Sequence, residues 1–565
     1  MPSRDFVRRP ACASRWAAAA AGLVLGIMAA AFAAPRAPDE PAASPPASAP
    51  LAAPIRTYCA DKDTPIALGS AQWNGWGHGP DNTRYQPEPA IRATDVPKLA
   101  LKWAFGYAGS AGGGQPTLVD GRLFVASAAG RIYSLDAKSA CIYWTYDAAA
   151  GVHTSISIAE LSTPRHGAPP KKTKMGRHKM TNAHLDVIKA PCAALFGDDK
   201  GAVYALDAQS GALLWKTQVE SHPLARIDGS TLHLARLYVA VGSSEPESAR
   251  DPGYGCCTFR GSVAALDVAS GHVEWKSYLV GEEARAVSTA AGGAPRFAPA
   301  GVPAVAAPTV DVVRSLLYVA TGDSADPERP QPLADAVVAL SLADGKVQWS
   351  RQLSASQAGL ERLEGPPVLR TPATGRATIL ASQRSGMVYA LDPEHAGEVL
   401  WQLQAAAPDA PGGIAPGAAA DHRSLYVPLS GLAAQPPNEA GSLTALDTKA
   451  GTRRWHIASP TPACSWGEAT ACSHAQAQPV TVIPGAAFSG SMDGHLRAYS
   501  TIDGKILWDY DTAKDYRTVN QINASGGSLR AGGPIIVNGV VYVNSGVADQ
   551  GQPGNVLLAF SVNGQ

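Results

Sequence analysis

Neither sign of charge is in excess in this chain: Lys and Arg number 47, and Asp and Glu number 47, among 565 residues. A nucleic-acid partner calls for a basic face, so that class is set aside. Aromatic residues are only 7% of the total. No C-x-x-C-H occurs, which excludes a covalently attached c-type haem. Beyond the N-terminus no apolar run is long enough to span a bilayer. What is plentiful is glycine, 56, and proline, 45, as expected of several domains or of one large repeat architecture rich in turns.

The N-terminus reads as an export signal over residues 1–34. Arg4, Arg8, Arg9 and Arg15 precede an apolar stretch from Trp16 to Ala34, with small residues around Ala31-Phe32-Ala33 suited to cleavage. The alternative is an uncleaved membrane anchor. Residues 35–58 form a Pro/Ala-rich linker that lacks the means to build a core. These features predict a periplasmic or secreted protein with no membrane span after signal cleavage. Export also permits disulfides among Cys59, Cys141, Cys192, Cys256, Cys257, Cys464 and Cys472. Cys464 and Cys472 bracket a short loop that they could close. Cys141 with Cys192 is one of several further pairings that spacing leaves open.

The rest of the chain, 59–565, is a repeat. "GAVYALDAQSGALLW" (201–215) returns as "GSVAALDVASGHVEW" (261–275), "GSLTALDTKAGTRRW" (441–455), "GHLRAYSTIDGKILW" (494–508) and "GRIYSLDAKSACIYW" (130–144). Looser copies end at Trp349 and Trp401, the latter one residue longer. Each joins two apolar runs through an Asp/Gly turn, the pattern of a β-hairpin, and a short apolar strand precedes each. Four strands per repeat, at a spacing of roughly 50–75 residues, suit propeller blades. The chain ends on an eighth copy, "GNVLLAFSVNGQ" (554–565), that stops before any tryptophan. The missing strand stands at the start, in "LALKWAFGY" (99–107), and pairing it with the last closes the ring and removes both sheet edges. The expected fold is therefore all-β, an eight-bladed propeller with one blade built from both termini. A Lys/His-rich segment, 161–190, reads as a solvated loop insertion.

Cys256 and Cys257 are neighbours in "YGCCTFRGSVAAL" (254–266). Adjacent Cα atoms lie about 3.8 Å apart across a trans peptide, short of the roughly 4.4–6.8 Å usual for a disulfide.

This repeat resembles the pyrroloquinoline-quinone (PQQ) dehydrogenase propellers of the quinoprotein alcohol dehydrogenase type. It is most similar to their polyvinyl-alcohol dehydrogenase branch. The blocks that carry the resemblance are "WNGWGHGPDNTRYQP" (73–87), "CIYWTYDAAAGV" (141–152), "CCTFRGSVAALD" (256–267), "RSGMVYALDP" (384–393) and "GGPIIVNGVVYVNSG" (532–546). The resemblance implies that Cys256 and Cys257 form a rigid ring against one face of the quinone. It implies Glu245 and Asp323 as ligands of a Ca²⁺ ion, and Arg384 as the cation at the quinone oxygens. Where the family's catalytic aspartate is expected, "GLERLEGPP" (359–367) offers Glu361 and Glu364 as the general base. Other positions depart from the pattern. Val305 replaces the tryptophan floor, His153 an arginine and Asp228 a threonine, and "PGGIAPGAAAD" (411–421) lacks a tryptophan.

Two functions follow from the resemblance. One is an exported PQQ-dependent dehydrogenase that oxidises an alcohol, polymeric and secondary alcohols included, and passes electrons to a separate cytochrome c. The other is a catalytically degenerate propeller that acts as a periplasmic binding or assembly scaffold.

Overall fold

The computed structural model describes residues 57–565 apart from 62–64, 70–71, 110–111, 162–190, 250, 252, 291, 325–330, 354–361, 373–374, 407–412, 432–440, 462–463, 465–472, 531 and 548–550. The signal segment 1–34, nearly all of the linker 35–58 and nearly all of the insertion 161–190 lie outside the described residues.

Eight four-stranded antiparallel sheets form the eight expected blades, and two short two-stranded ribbons are added to them. In the last blade the strand Leu99–Gly106 pairs antiparallel with Val556–Val562, with Trp103 opposite Ala559 and Ala104 opposite Leu558. The two ends of the chain thus close one sheet, and no blade is left to fray. Within most blades the inner strands are short and buried, as in Thr117–Val119 and Ile535–Val537. Outer strands such as Leu213–Gln218 alternate between half-buried and exposed.

The repeated tryptophan docks each blade on the next. Trp144 Nε1 donates to the Ala208 carbonyl at 3.0 Å, Trp215 to Val268 at 3.0 Å, and Trp455 to Thr501 at 3.2 Å. The acceptor in each case follows the Asp or Ser that opens the neighbour's turn. The turn glycine lies directly on the indole. A Cβ on Gly271, which has φ 71°, would come within 2.5 Å of the Trp215 ring. The motif needs glycine for its backbone conformation and for its missing side chain alike. Gly271→Ala is accordingly expected to lower stability by about 1–3 kcal/mol, through overpacking added to a left-handed backbone, as read from a denaturant midpoint. Trp349 is the exception. Its Nε1 is buried with no hydrogen-bond partner, and the turn it faces, 392–397, is the one that carries an extra residue.

The segment 73–86 plugs the ring. Trp73 exchanges backbone hydrogen bonds with Leu118, at 2.8 and 2.9 Å. Val310 donates to the Pro80 carbonyl at 2.8 Å, Leu369 to Asp81 at 2.9 Å, and Ala420 to Thr83 at 2.8 Å. Gln86 donates to Val482 at 2.8 Å. These partners belong to the inner strands of five different blades, so the plug satisfies backbone groups that the ring's interior would otherwise leave unpaired.

Among the cysteines, Cys59 bonds to Cys141, with Cα atoms 5.1 Å apart at a sequence separation of 82. The pairing of Cys141 with Cys192 does not form. Cys192 is a buried thiol in the core between the first two blades, 3.9 Å from the Ile66 carbonyl, whereas Cys141 opens an outer strand. Cys464 is disulfide-bonded, and Cys472 lies outside the described residues.

Candidate functional site

A cavity of about 250 Å³ is lined by residues from the inner parts of several consecutive blades and from the plug. His153, Thr154 and Ser155 come from the loop that enters the second blade. Arg226, Asp228 and Gly229 come from the strand Ala225–His233, and Val305, Ala306 and Ala307 from Ala304–Asp311. Arg362, Leu363, Glu364 and Gly365 precede the strand Val368–Arg370, and Trp76 belongs to the plug.

Two β-bulges shape this place. The register shifts between Ile227 and Gly229 and again between Val305 and Thr309, so Asp228 and residues 306–308 stand out of their ladders. The two strands approach so closely that a Cβ on Gly229 would lie 2.3 Å from the Ala307 nitrogen. Glycine there lets the strands meet.

The polar lining consists of paired charges. Arg226 Nε donates to Asp228 Oδ1 at 2.6 Å, and Arg362 Nε to Glu364 Oε1 at 2.9 Å. His153 Nε2 stands 3.1 Å from Asp199 Oδ2. Both arginines are held above their usual pKa. For Arg226 the main cause is the adjacent Asp228 charge; for Arg362, burial is the largest single effect and lowers the pKa, but Glu364, Asp323 and Glu247 together outweigh it. Asp228 is pushed above the ordinary carboxylate range. Burial is the main cause, Arg226 opposes it, and Asp199 and Glu247 add to it. A carboxyl whose folded pKa is raised stabilises the fold below its unfolded pKa, and that contribution is lost as pH rises through the folded value. The melting temperature of Asp228→Asn minus that of the unaltered chain is thus expected to grow as pH rises from about 4 to 7, in a buffer-series thermal melt.

The residues expected from sequence fall into two groups. Cys256 and Cys257 are disulfide-bonded, with Cα atoms 3.0 Å apart and a cis peptide between them. The backbone N–H groups that follow them hold Glu245: Thr258 N donates to its Oε1 at 2.8 Å and Phe259 N to its Oε2 at 3.0 Å. Tyr254 Oη adds a third hydrogen bond at 3.0 Å, and the Thr258 hydroxyl a fourth at 3.3 Å. The second group surrounds Arg362. Its carbonyl accepts from Arg384 N at 2.9 Å, Glu364 N donates to the Ser382 carbonyl at 2.8 Å, and Asp323 adds to the field on its guanidinium. Glu364 lines the cavity; Arg384, Asp323, Glu245 and the cysteine pair are not among the lining residues. Glu361 lies outside the described residues.

His153, Asp228 and Val305, each a departure from the family pattern, all line the cavity. Sequence reading passed over Trp76, Arg226 and Arg362. A signal for the two arginines was present: "RID" (226–228) and "RLE" (362–364) both set a cation two residues before an acid, which places the two on one face of an extended segment.

The group implied by the resemblance can be tested on this lining. Two guanidiniums, a flat indole and a wall of small residues (Val305, Ala306, Ala307, Gly229) fit a planar tricarboxylate such as PQQ, while the carboxyls of Asp228 and Glu364 in the same lining oppose it, Asp228 the less because burial favours its neutral form. For calcium, Asp323 Oδ1 is buried without a hydrogen-bond partner, which suits a cation ligand, but both Glu245 oxygens already accept protein hydrogen bonds. Among the described residues no group of three or more His, Cys, Asp or Glu side chains could hold a metal ion. The described donor set does not fit Ca²⁺.

Eight blades, the repeated tryptophan dock and an axial cavity define a propeller of the PQQ-repeat class. A PQQ-repeat family profile, described as "Outer membrane protein assembly factor BamB", matches residues 87–314, 195–480 and 440–564. A polyvinylalcohol dehydrogenase of Pseudomonas sp. is 39% identical over 535 residues, which cover 90% of this chain and 80% of that protein. A second, from Sphingopyxis sp. (strain 113P3), is 38% identical over 542 residues, covering 90% and 79%. The chain belongs to the polyvinylalcohol dehydrogenase family. Among solved structures, the quinohemoprotein alcohol dehydrogenase from Comamonas testosteroni matches with a TM-score of 0.60 at 18% identity, over 88% of this chain and 81% of that one. Such a likeness shows the fold. Among the described residues no helix is long and apolar enough to cross a membrane. The relatives do not favour the scaffold reading.

Proposed function

We propose that this chain is a PQQ-dependent alcohol dehydrogenase acting on secondary alcohols, including those of a polymer, with the axial cavity as its active site. The observation that carries the reading is the lining itself: two arginine–carboxylate pairs and an indole meet in one space of cofactor size. When bound, the quinone supplies a two-electron acceptor for the hydride of the alcohol carbon. Arg226 and Arg362 hold its carboxylates. Glu364 takes the substrate hydroxyl proton on the oxygen that does not face Arg362, and its side chain is only about 11% exposed, which keeps bulk water from competing. Arg384, tied by its backbone N–H to the Arg362 carbonyl, is the further cation proposed for the quinone oxygens. The Cys256–Cys257 ring and Asp323 lie outside the cavity lining, and no metal cation enters the proposed reaction. Electrons leave to a separate cytochrome c, since the sequence carries no haem attachment motif. The setting is periplasmic or extracellular.

The test is reconstitution of the purified protein with PQQ, followed by dye reduction with primary, secondary and polymeric alcohols. Quinone absorbance retained through gel filtration, with turnover of a secondary alcohol, is expected. Absence of both overturns the reading.

A further inference from the structure

The cavity has one aromatic wall apart from the His153 imidazole, and it comes from an unexpected element. The strand Ala304–Asp311 presents Val305, Ala306 and Ala307 to the cavity, none of which offers a flat surface. Trp76 does, from the plug. Two features set this indole apart from the docking tryptophans of the blades: it sits in a cavity wall rather than between sheets, and a guanidinium stands over its ring. Its Nε1, like that of Trp349, is buried with no hydrogen-bond partner.

That guanidinium belongs to Arg84, fully buried, with its carbon 4.9 Å from the indole centroid. Arg84 is fixed in place. Its Nε donates to the Val480 carbonyl at 2.6 Å, Nη1 to the Trp76 carbonyl at 2.8 Å and to Gln115 Oε1, and Nη2 to Thr481 Oγ1 at 2.9 Å. All these acceptors are neutral. Among the described residues no carboxylate pairs with it. Burial lowers its pKa to about 9, so it remains cationic at neutral pH. A buried positive charge on one side of an indole draws electron density from the ring and makes the opposite side more attractive to an electron-rich, anionic partner. The unpartnered indole N–H adds a donor of the kind that a buried carbonyl or carboxylate would satisfy.

We infer that Trp76, backed by Arg84, is the stacking platform of the cavity, on which a planar aromatic polyanion lies while Arg226 and Arg362 hold its carboxylates. The proposal rests on the PQQ reading above and assigns to the plug a part that the blade strand, with Val305, does not fill. Gly75 and Gly77 flank the platform. A Cβ on Gly77 would lie 2.5 Å from the Asn82 backbone, so the plug is wound tightly enough to hold the indole in one place.

The test is equilibrium binding of PQQ to the full-length protein by calorimetry, with citrate as a second probe that carries three carboxylates and no flat ring. Trp76→Leu and Trp76→Met are the variants that remove the ring, Trp76→Phe retains one, and thermal melts check that each folds. The PQQ dissociation constant is expected to rise about tenfold or more in Trp76→Leu and Trp76→Met, and about threefold or less in Trp76→Phe. Weak citrate binding should be equal in all four proteins. PQQ binding by Trp76→Leu or Trp76→Met as tight as by the unaltered chain overturns the platform and leaves the proposed function standing. Failure of the unaltered chain to bind PQQ overturns the proposed function itself, and the platform with it.

Discussion

Replacing Glu364 by glutamine is expected to lower kcat for alcohol oxidation by about 10²–10⁴-fold, the usual worth of a positioned general base. Glutamine keeps the shape of the side chain, and its amide oxygen still accepts the hydrogen bond that Arg362 Nε makes at 2.9 Å. What it removes is the capacity to take a proton. The PQQ dissociation constant and KM are therefore expected to change by no more than about threefold, so the loss falls on kcat and not on binding. Asp228→Asn is the informative companion. Asp228 lines the same cavity, but its carboxyl is buried, faces Arg226 at 2.6 Å and holds its proton to higher pH than usual. Its replacement is expected to leave at least a tenth of kcat. A small effect for Glu364→Gln with a large one for Asp228→Asn would move the base to the third blade.

The second large effect concerns the ring. Trp508 is buried, donates to the Leu99 carbonyl at 3.0 Å, and meets Phe560 edge to face at 5.3 Å between centroids. Leu99 and Phe560 belong to the first and last of the described strands, so this one indole docks the seventh blade on the sheet that closes the ring. Trp508→Ala is expected to cost about 3–5 kcal/mol in a urea unfolding experiment, as for other buried Trp truncations. Trp508→Phe keeps most of the apolar contact and loses the hydrogen bond, so about 1 kcal/mol is expected. Near-equal values for the two would mean that the hydrogen bond, and not the packing, holds the closure.

The fold was legible because its signals are local and repeated. Each hairpin carries its own alternation, turn and tryptophan within about fifteen residues, and the copies corroborate one another. Trp103 with no repeat of its own, and a final repeat with no tryptophan, were sufficient to predict that Leu99–Gly106 pairs with Val556–Val562. The cavity was legible only through its exceptions. Asp228, His153 and Val305 stood out as misfits, and the structure brings all three to one lining. The hydrogen bonds of Glu245 could not be read from sequence, because its donors at Thr258 and Phe259 are backbone groups whose direction depends on the turn at the cysteine pair. The Cys59–Cys141 bond was likewise undecidable, since its partners stand at a sequence separation of 82 and only the docking of the N-terminal stretch on the first blade brings them to 5.1 Å.

By itself the sequence determined the number of blades, their order and the seam that closes them, because periodic apolar patterning and turn chemistry act over a few residues. Only the tertiary structure decided which side chains share the axial cavity. Trp76, Arg226 and Arg362 are far apart along the chain, and what joins them is the curvature of a closed ring, which turns the inner edges of separate blades toward one axis.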